Sequence, residues 1–438
     1  MPFKFTLVKD SWSEVLKPFS QSLAAVGPML NVIGLFSVIA GLIGQYILYA
    51  AILAFIITVL NIYMPYKVSK HLTTNGGYYT VAGIYLGKRA GVFTSLLYSI
   101  YGLLAFPSIT LFQFTLLDFV FGISTALPLT ILISIITVLI VIRGFNSTIN
   151  YLKYLTLLEI SFLIILDLIM SIEGQGAIPS IRSTPINSWG FWVAMLYSLL
   201  MFAGLGSSLF ISENVNGSKK NVPKGILNAY LVSGFLMVFS AYSIIKFLGM
   251  NIYIYATNPY AILEIINRSF GSLAFYLVVF FSVLSSINLS LAYLNSWRNA
   301  IAKMGNDRIL HKLRSRDTIL SAFIISISIL IISYIYNNGF TGFVIVTGLV
   351  SLFYLTVHIV SNVSYLKHVL GEKNNLGISI ILASTIILLT TIILTIYGDF
   401  YSMIMVSYLY LTLITSALIA VMILVIRGNT DAIELHYY

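Results

Sequence analysis

Charge is scarce in this sequence: Asp, Glu, Lys and Arg together make up 9% of its 438 residues. A soluble domain carries roughly 25%, so the chain lacks the polar residues to coat a water-facing surface. Cysteine is absent altogether, which excludes disulfides and thiolate metal sites. Enzyme motifs are missing too. No glycine-rich phosphate loop ends in Lys and Ser/Thr, which argues against ATP-driven pumping. There is no HExxH pair, and the five histidines (His71, His311, His358, His368, His436) are scattered. The loops are too short to hold a catalytic domain, so the chain reads as no enzyme and implies no cofactor. A signal peptide's short apolar core is also lacking at the start. Lys4, Lys9, Asp10, Glu14 and Lys17 are mixed with apolar positions there, as in an amphipathic cytoplasmic lead into a first span.

What is abundant is hydrocarbon. Hydrophobic residues make up 59% of the chain, and mean hydropathy is +0.96. Apolar runs of about twenty residues, each long enough to cross a bilayer core as a helix, recur from end to end. They show no in-out alternation of the kind a barrel requires. The sequence therefore predicts an all-α integral membrane protein of about twelve transmembrane helices. The expected spans are 18–42, 44–66, 91–121, 127–143, 151–172, 189–212, 225–249, 271–300, 318–336, 340–365, 376–396 and 400–426. With both termini cytoplasmic, 21 of the 24 basic residues fall on the cytoplasmic side; Arg182, Lys246 and Arg268 are the exceptions. That asymmetry is the positive-inside pattern of a multi-pass protein in the cell membrane. It also accounts for the net charge of +10 with anionic lipid as partner and no nucleic acid.

Two spans are interrupted in comparable ways. The first carries Ala24-Ala25-Val26-Gly27-Pro28, and the sixth carries Phe202-Ala203-Gly204-Leu205-Gly206. Proline removes a backbone donor, and glycine weakens a helix on entropic grounds. Paired breaks at corresponding positions of two halves point to a transporter's central site. Half-helix N-termini there bind a carboxylate, and freed carbonyls bind an ammonium group or cation. The plainer alternative is that small residues simply allow close helix packing.

The stretch Phe202 to Ile226, FAGLGSSLFISENVNGSKKNVPKGI, resembles the sixth helix and following loop of the amino acid–polyamine–organocation superfamily of permeases. Phe202, Ala203, Gly204, Glu213, Lys219-Lys220 and Val222-Pro223-Lys224 match its pattern without a gap. Thr74-Asn75-Gly76-Gly77-Tyr78-Tyr79-Thr80 is similar to its Gly-Gly-Tyr-Tyr signature after the second helix. Arg143-Gly144 through Glu159 is similar to the opening of its fifth helix. Asn295-Ser296-Trp297-Arg298 and Met304 to Leu310 match the eighth more loosely, with one inserted residue. The likeness covers helices one to ten. It departs from the family at Gly206 and Lys67, where the family has acids, and at Gly217-Ser218, where it has Asn-Pro.

The resemblance implies a five-plus-five inverted repeat with helices one and six broken. Residues 1–365 would be the transporter core, with repeats at about 18–172 and 189–365, and residues 366–438 two further helices and a short tail. It implies a secondary transporter, an amino acid permease working by alternating access. The substrate's carboxylate would meet backbone donors at Val26, Gly27 and Pro28, with Ala25 beside them in the site. Its ammonium would meet carbonyls around Phe202, Ala203, Gly204 and Leu205, with Gly206 in the same break. Loss of the acid at Gly206 argues mildly against a polyamine. Amines, nucleobases, and a sensor or channel on the same fold stay open as alternatives, as do the oligomeric state and the choice between symport and exchange.

Ionisable groups at membrane depth are functional hypotheses by default. Glu159 lies about 8 residues into the fifth span, roughly 12 Å along the helix. In proton-coupled relatives a titratable residue on that helix sits beside the broken first helix, so Glu159 is the candidate for proton coupling. It competes with a purely structural reading, in which the carboxylate caps the broken backbone or pairs with Lys153. His358 in the tenth span is a second proton-coupling candidate, or else a bond to a neighbouring helix. Ser285 and Ser286, with Asn288, offer oxygens for sodium as they do in sodium-coupled members of the fold, or interhelical hydrogen bonds. Tyr101 and Phe202 are candidate gate aromatics. Asp118, Asp167 and Glu173 lie near the outer ends of their spans and call for no special role.

Overall fold

The computed structural model describes residues 10–183, 185, 188–311, 314–398, 401–426 and 433–437. Lys4, Lys9, Lys312 and Arg427, four of the basic residues counted above, lie outside them. Among the described residues, eleven helical stretches are long and apolar enough to cross a membrane. The first, Trp12–Val68, has 57 residues, about 85 Å at 1.5 Å per residue, and so holds two crossings. Its chain reverses at Gly44, whose φ of 58° and ψ of −130° end the helix Phe36–Ile43. Ile47–Val68 then runs back as the second span. Twelve spans result, as the hydropathy predicts.

The remaining spans are Lys88–Phe121, Ile123–Ile142, Phe145–Glu173, the broken sixth beginning at Trp189–Leu200, Ser218–Leu248, Ala261–Asn306, Ser315–Ile335, Gly339–Gly371, Asn375–Ile396 and Tyr401–Ile426. Several run past their apolar stretch at the end of the bundle that carries most basic residues, hereafter the basic end. The third begins at Lys88 rather than 91, the seventh at Ser218 rather than 225, and the tenth ends at Gly371 rather than 365. Hydropathy marks only the hydrocarbon thickness, whereas the helix continues into the polar interface. The eighth is interrupted at Gly271 (φ 82°, ψ 175°); that is where hydropathy starts the span, and the preceding turns form a separate helical piece.

Lipid selects which faces turn outward. In the fourth span Leu132, Ile135, Ile136 and Leu139 are exposed, and in the fifth Leu157, Leu158, Ile165, Leu168 and Ile172. An apolar surface of that extent is stable only against hydrocarbon. The third, sixth and tenth spans are the most enclosed, and the twelfth is the least. The tenth packs chiefly on the third, the first on the seventh, and the eleventh on the second, sixth and tenth.

At the basic end the two most specific sequence motifs meet. Gly77 (φ 56°) turns the chain into a short helix, Tyr78–Leu86, set against Phe210 of the sixth span. Thr74 and Ser212 exchange two hydrogen bonds of 2.8 Å. The Asn75 amide donates to Glu213 at 3.1 Å, and Lys303 pairs with the same carboxylate at 2.8 Å. Asp307, fully buried, accepts from the Tyr79 hydroxyl at 3.0 Å and from His436 at 2.9 Å. Burial first, and then the Asp307 carboxylate, push the Tyr79 phenol well above its usual range, so it stays a donor.

Candidate functional site

The first span starts as Asp10–Ala24 and breaks at residues 25–27. Gly27, at φ 62°, is the N-cap of the second piece, and Pro28 is its first helical residue. That pairing suits a helix start, because proline's fixed φ fits N1 and its missing N–H is not needed there. The second piece continues through a π-helical turn, Asn31–Leu35. A helix N-terminus at membrane depth exposes amide donors and a partial positive charge.

Glu159 occupies that N-terminus. It is 1% exposed. Its Oε1 accepts from the Met29 amide at 3.1 Å and from the Ser285 hydroxyl at 2.6 Å, and its Oε2 accepts from Asn288 Nδ2 at 3.0 Å. Ser285 in turn accepts from the Leu30 amide at 3.1 Å. Asn288 also donates to Thr156 at 3.0 Å. The carboxylate and its hydroxyl neighbour therefore saturate the first free amides of the half-helix. Lys153 is not its partner.

This arrangement corrects the expected carboxylate cradle. The N–H groups of Val26 and Gly27 close turns on Leu23 and Ala24, each at 3.1 Å, and Pro28 has none. The donors actually available at the break are Met29 and Leu30, and the protein's own side chains fill them. Ser285 and Ser286 also part company. Ser286 turns towards the third span, where Gln113 Nε2 donates to it at 2.7 Å, so the two serines do not converge on one cation. Adjacent helical residues point about 100° apart, which is the reason.

The sixth-span break is built differently. Trp189–Leu200 gives way to turns at 201–204, and then to a 3₁₀ run, Leu205–Asn214. Gly204 (φ 108°) lies against the Ala25 carbonyl so closely that a β-carbon there would overlap it. The two breaks thus abut. Asn31 bridges them, donating to the Val26 carbonyl at 3.0 Å and the Met201 carbonyl at 3.2 Å. Ser22 donates to the Leu205 carbonyl at 2.7 Å. Gly206 stands under the Tyr78 hydroxyl, whose place a β-carbon would take. Tyr78 OH meets His358 Nε2 at 3.1 Å, and His358 Nδ1 meets the Tyr354 carbonyl at 3.0 Å. A carbonyl only accepts, so Nδ1 carries the hydrogen and Nε2 accepts from the tyrosine.

Two cavities flank the abutting breaks. The central one, with about 430 Å³ of empty space, is lined by Ala25, Val26, Leu30, Leu35, Ile109, Leu200, Leu289, Phe343 and Val350, with Asn31, Ser108, Thr347 and Tyr293 as its polar groups. Ser108 and Thr347 share a 2.6 Å hydrogen bond. The second, about 340 Å³ on the basic-end side, is lined by Tyr78, Tyr98, Tyr101, Tyr293, Tyr354, Phe210, His358 and Gly204. Tyr293 belongs to both, and Tyr101 donates to it at 2.8 Å. Tyr293 thus stands between the two cavities.

Of the residues expected from sequence, Ala25, Val26, Gly204, Tyr101 and His358 line a cavity, while Gly27 and Pro28 shape the break. Phe202 does not reach a cavity; it stacks on Phe55 of the second span at 6.3 Å. Ala203, Leu205 and Gly206 line neither cavity. His358 lies in the tyrosine-lined cavity and makes no bond to Glu159. The sequence reading missed Asn31, Tyr78 and Tyr293. Asn31 had a signal, being a buried amide three residues after Pro28; Tyr293 was one of 29 tyrosines. Asp167, near the outer end of its span as expected, is fully buried there.

No family model matches the chain, and no curated protein matches it. Among solved structures it is similar to a manganese transporter from Eremococcus coleocola, crystallised with an aromatic bis-isothiourea substituted compound. The two superpose with a TM-score of 0.56 at 15% identity, over 97% of this chain and 96% of the other. At that identity the likeness speaks for the fold. The chain is a multi-pass helical membrane protein with an inverted-repeat fold in which helices one and six are broken.

Proposed function

We propose that the chain is a proton-coupled amino acid permease of the cell membrane, working by alternating access with its basic end in the cytoplasm. The observation that carries this reading is Glu159: a buried carboxylate bonded to the first amide of a broken helix, whose next residue, Leu30, lines the central cavity. A helix N-terminus favours one anion. When Glu159 is ionised it is that anion. When it takes a proton its charge is gone, and the Met29 amide and the half-helix dipole become available to a substrate carboxylate. Proton and substrate then bind together, and neither travels alone.

The lining supports a small organic solute over a metal ion. The similar structure is of a manganese transporter, and a hard divalent cation wants charged oxygen ligands. Neither cavity is lined by a carboxylate, and no group of three or more His, Cys, Asp or Glu comes together among the described residues. The central cavity instead offers an apolar wall and a few hydroxyl and amide groups, which suits an amino acid with an apolar side chain. An organic amine is the second reading, favoured by the tyrosine faces around the basic-end cavity, since aromatic faces attract ammonium groups.

The test is uptake of a labelled amino-acid and amine panel into proteoliposomes under a proton gradient, a sodium gradient or neither. Accumulation of an apolar amino acid driven by protons, and its loss in Glu159→Gln with exchange retained, is the expected result. Sodium-driven accumulation, or full gradient-driven uptake by Glu159→Gln, overturns proton coupling through this residue.

A further inference from the structure

The fifth span holds a second buried acid. Asp167 follows Glu159 by eight residues, about 12 Å along the helix axis, on the same buried stripe that includes Leu163 and Met170. It is fully buried, packed where the fifth span meets the seventh. Ser240 of the seventh span donates to its Oδ2 at 2.6 Å. Its other oxygen, Oδ1, has no hydrogen-bond partner, and neither has Ser243 Oγ, one turn along from Ser240.

Among the described residues no charged side chain bonds to it. On its own span Lys153, Glu159 and Glu173 make no bond to it, and Lys219, Lys220, Lys224 and Lys246, on the same span as Ser240, make none either. The charged groups on the other elements packed against the fifth span are engaged elsewhere: Glu14 with Lys17, Glu264 with Arg268, Lys303 with Glu213, and Arg298 with Asn295 and the Val141 carbonyl. An ionised carboxylate in hydrocarbon with one oxygen unpaired and no cation is strongly disfavoured. A neutral carboxyl is tolerated, because it carries no net charge and retains the Ser240 bond.

We propose that Asp167 is a second proton-binding site, loaded in this conformation, and that its proton holds the fifth and seventh spans together. Loss of the proton leaves a bare carboxylate at a dry interface, so the two spans must part or water must enter between them. Proton occupancy at Asp167 is thereby tied to closure of the bundle on the side away from the basic end. The inference builds on the proton-coupled reading, but its first test needs no substrate.

That test is infrared difference spectroscopy of the full-length protein in bilayers, stepped between acid and alkaline buffer. The carbonyl stretch of a protonated carboxyl is expected in the wild type, lost on the alkaline side, and missing from Asp167→Asn. A band that persists in Asp167→Asn and vanishes in Glu159→Gln overturns the assignment, as does the absence of any such band. If Asp167→Asn does not fold, Ser240→Ala serves, and its band is expected to move in frequency; an unmoved band counts against the site. In proteoliposomes, Asp167→Asn is expected to keep substrate exchange and lose proton-driven accumulation, and wild-type accumulation by that variant would overturn the coupling role. Failure of the wild type to move any solute would undo the permease reading while leaving the infrared result to decide Asp167.

Discussion

The two broken helices occupy matching places in the two halves of the fold, yet they are stabilised by different chemistry. At the first break a carboxylate from the fifth span and a hydroxyl from the eighth saturate a helix N-terminus, and the Asn288 amide holds the carboxylate. At the sixth, no charged side chain takes part among the described residues. Glycines let backbones and a tyrosine hydroxyl approach, and Asn31 and Ser22 cover the freed carbonyls. On the proposed reading, one break responds to a proton and the other to shape. The proposal thus divides the work: charge handling would sit where the amides point, and gating where the aromatic side chains of Tyr78, Tyr98, Phe210 and Tyr354 gather around the basic-end cavity.

That contrast can be broken from either side. The largest effect is expected from Glu159→Leu, which leaves the Met29 amide and the Ser285 hydroxyl without their acceptor. It should cost about 3 kcal/mol or more of stability, as for several buried donors orphaned together, seen as a fall in thermal midpoint and in folded yield. Glu159→Gln keeps an acceptor and should cost only about 1–2 kcal/mol, the difference between charged and neutral hydrogen bonds. If both variants unfold alike, the first break does not depend on a carboxylate at all.

At the sixth break, Gly204→Ala places a β-carbon against the Ala25 carbonyl at φ 108°. Backbone strain and overpacking together should cost about 3 kcal/mol, measured in the same melts, with transport lost even where protein folds. Gly206→Asp restores the acid of the resembling family, but it must displace the Tyr78 hydroxyl. A penalty of about 1–2 kcal/mol is expected, partly relieved in the double variant with Tyr78→Phe. A double-mutant cycle with no coupling would show that Gly206 is not there to admit the tyrosine.

The smallest effect is expected from Tyr78→Phe alone, about 1 kcal/mol for one hydrogen bond to His358. Because the chain has no cysteine, a single cysteine at Ser207 gives a clean reporter of access to the basic-end cavity. Tyr78→Phe should speed its labelling by a maleimide; unchanged labelling would remove Tyr78 from the gate.

Much of the architecture was legible in one dimension. Span count, the reversal of the chain after the first span, and both breaks follow from apolar run length and from Gly27, Pro28, Gly204 and Gly206. The Thr74–Thr80 and Phe202–Ile226 stretches, singled out by resemblance, do meet in space through Thr74, Asn75, Ser212 and Glu213. The candidate site was less legible. Glu159 was expected beside the first break and stands there, but Ser285 and Ser286 separated, Phe202 turned away to Phe55, and Asp167 proved to be buried. Asn31 was signalled only as an amide three residues after Pro28, and Tyr293, one of 29 tyrosines, is distinguished neither by type nor by spacing from residues that merely pack.

By itself the sequence determined what depends on the solvent: hydrocarbon accepts only long apolar helices, so composition along the chain decides where it crosses, and basic residues decide which ends gather. Only the tertiary structure decided which polar group answers which. A helix advances about 100° per residue, so a neighbour in sequence faces a different partner. Whether a hydroxyl meets Glu159 or Gln113, or an acid meets lipid headgroups or Ser240, is set by how the helices rotate and pack against one another.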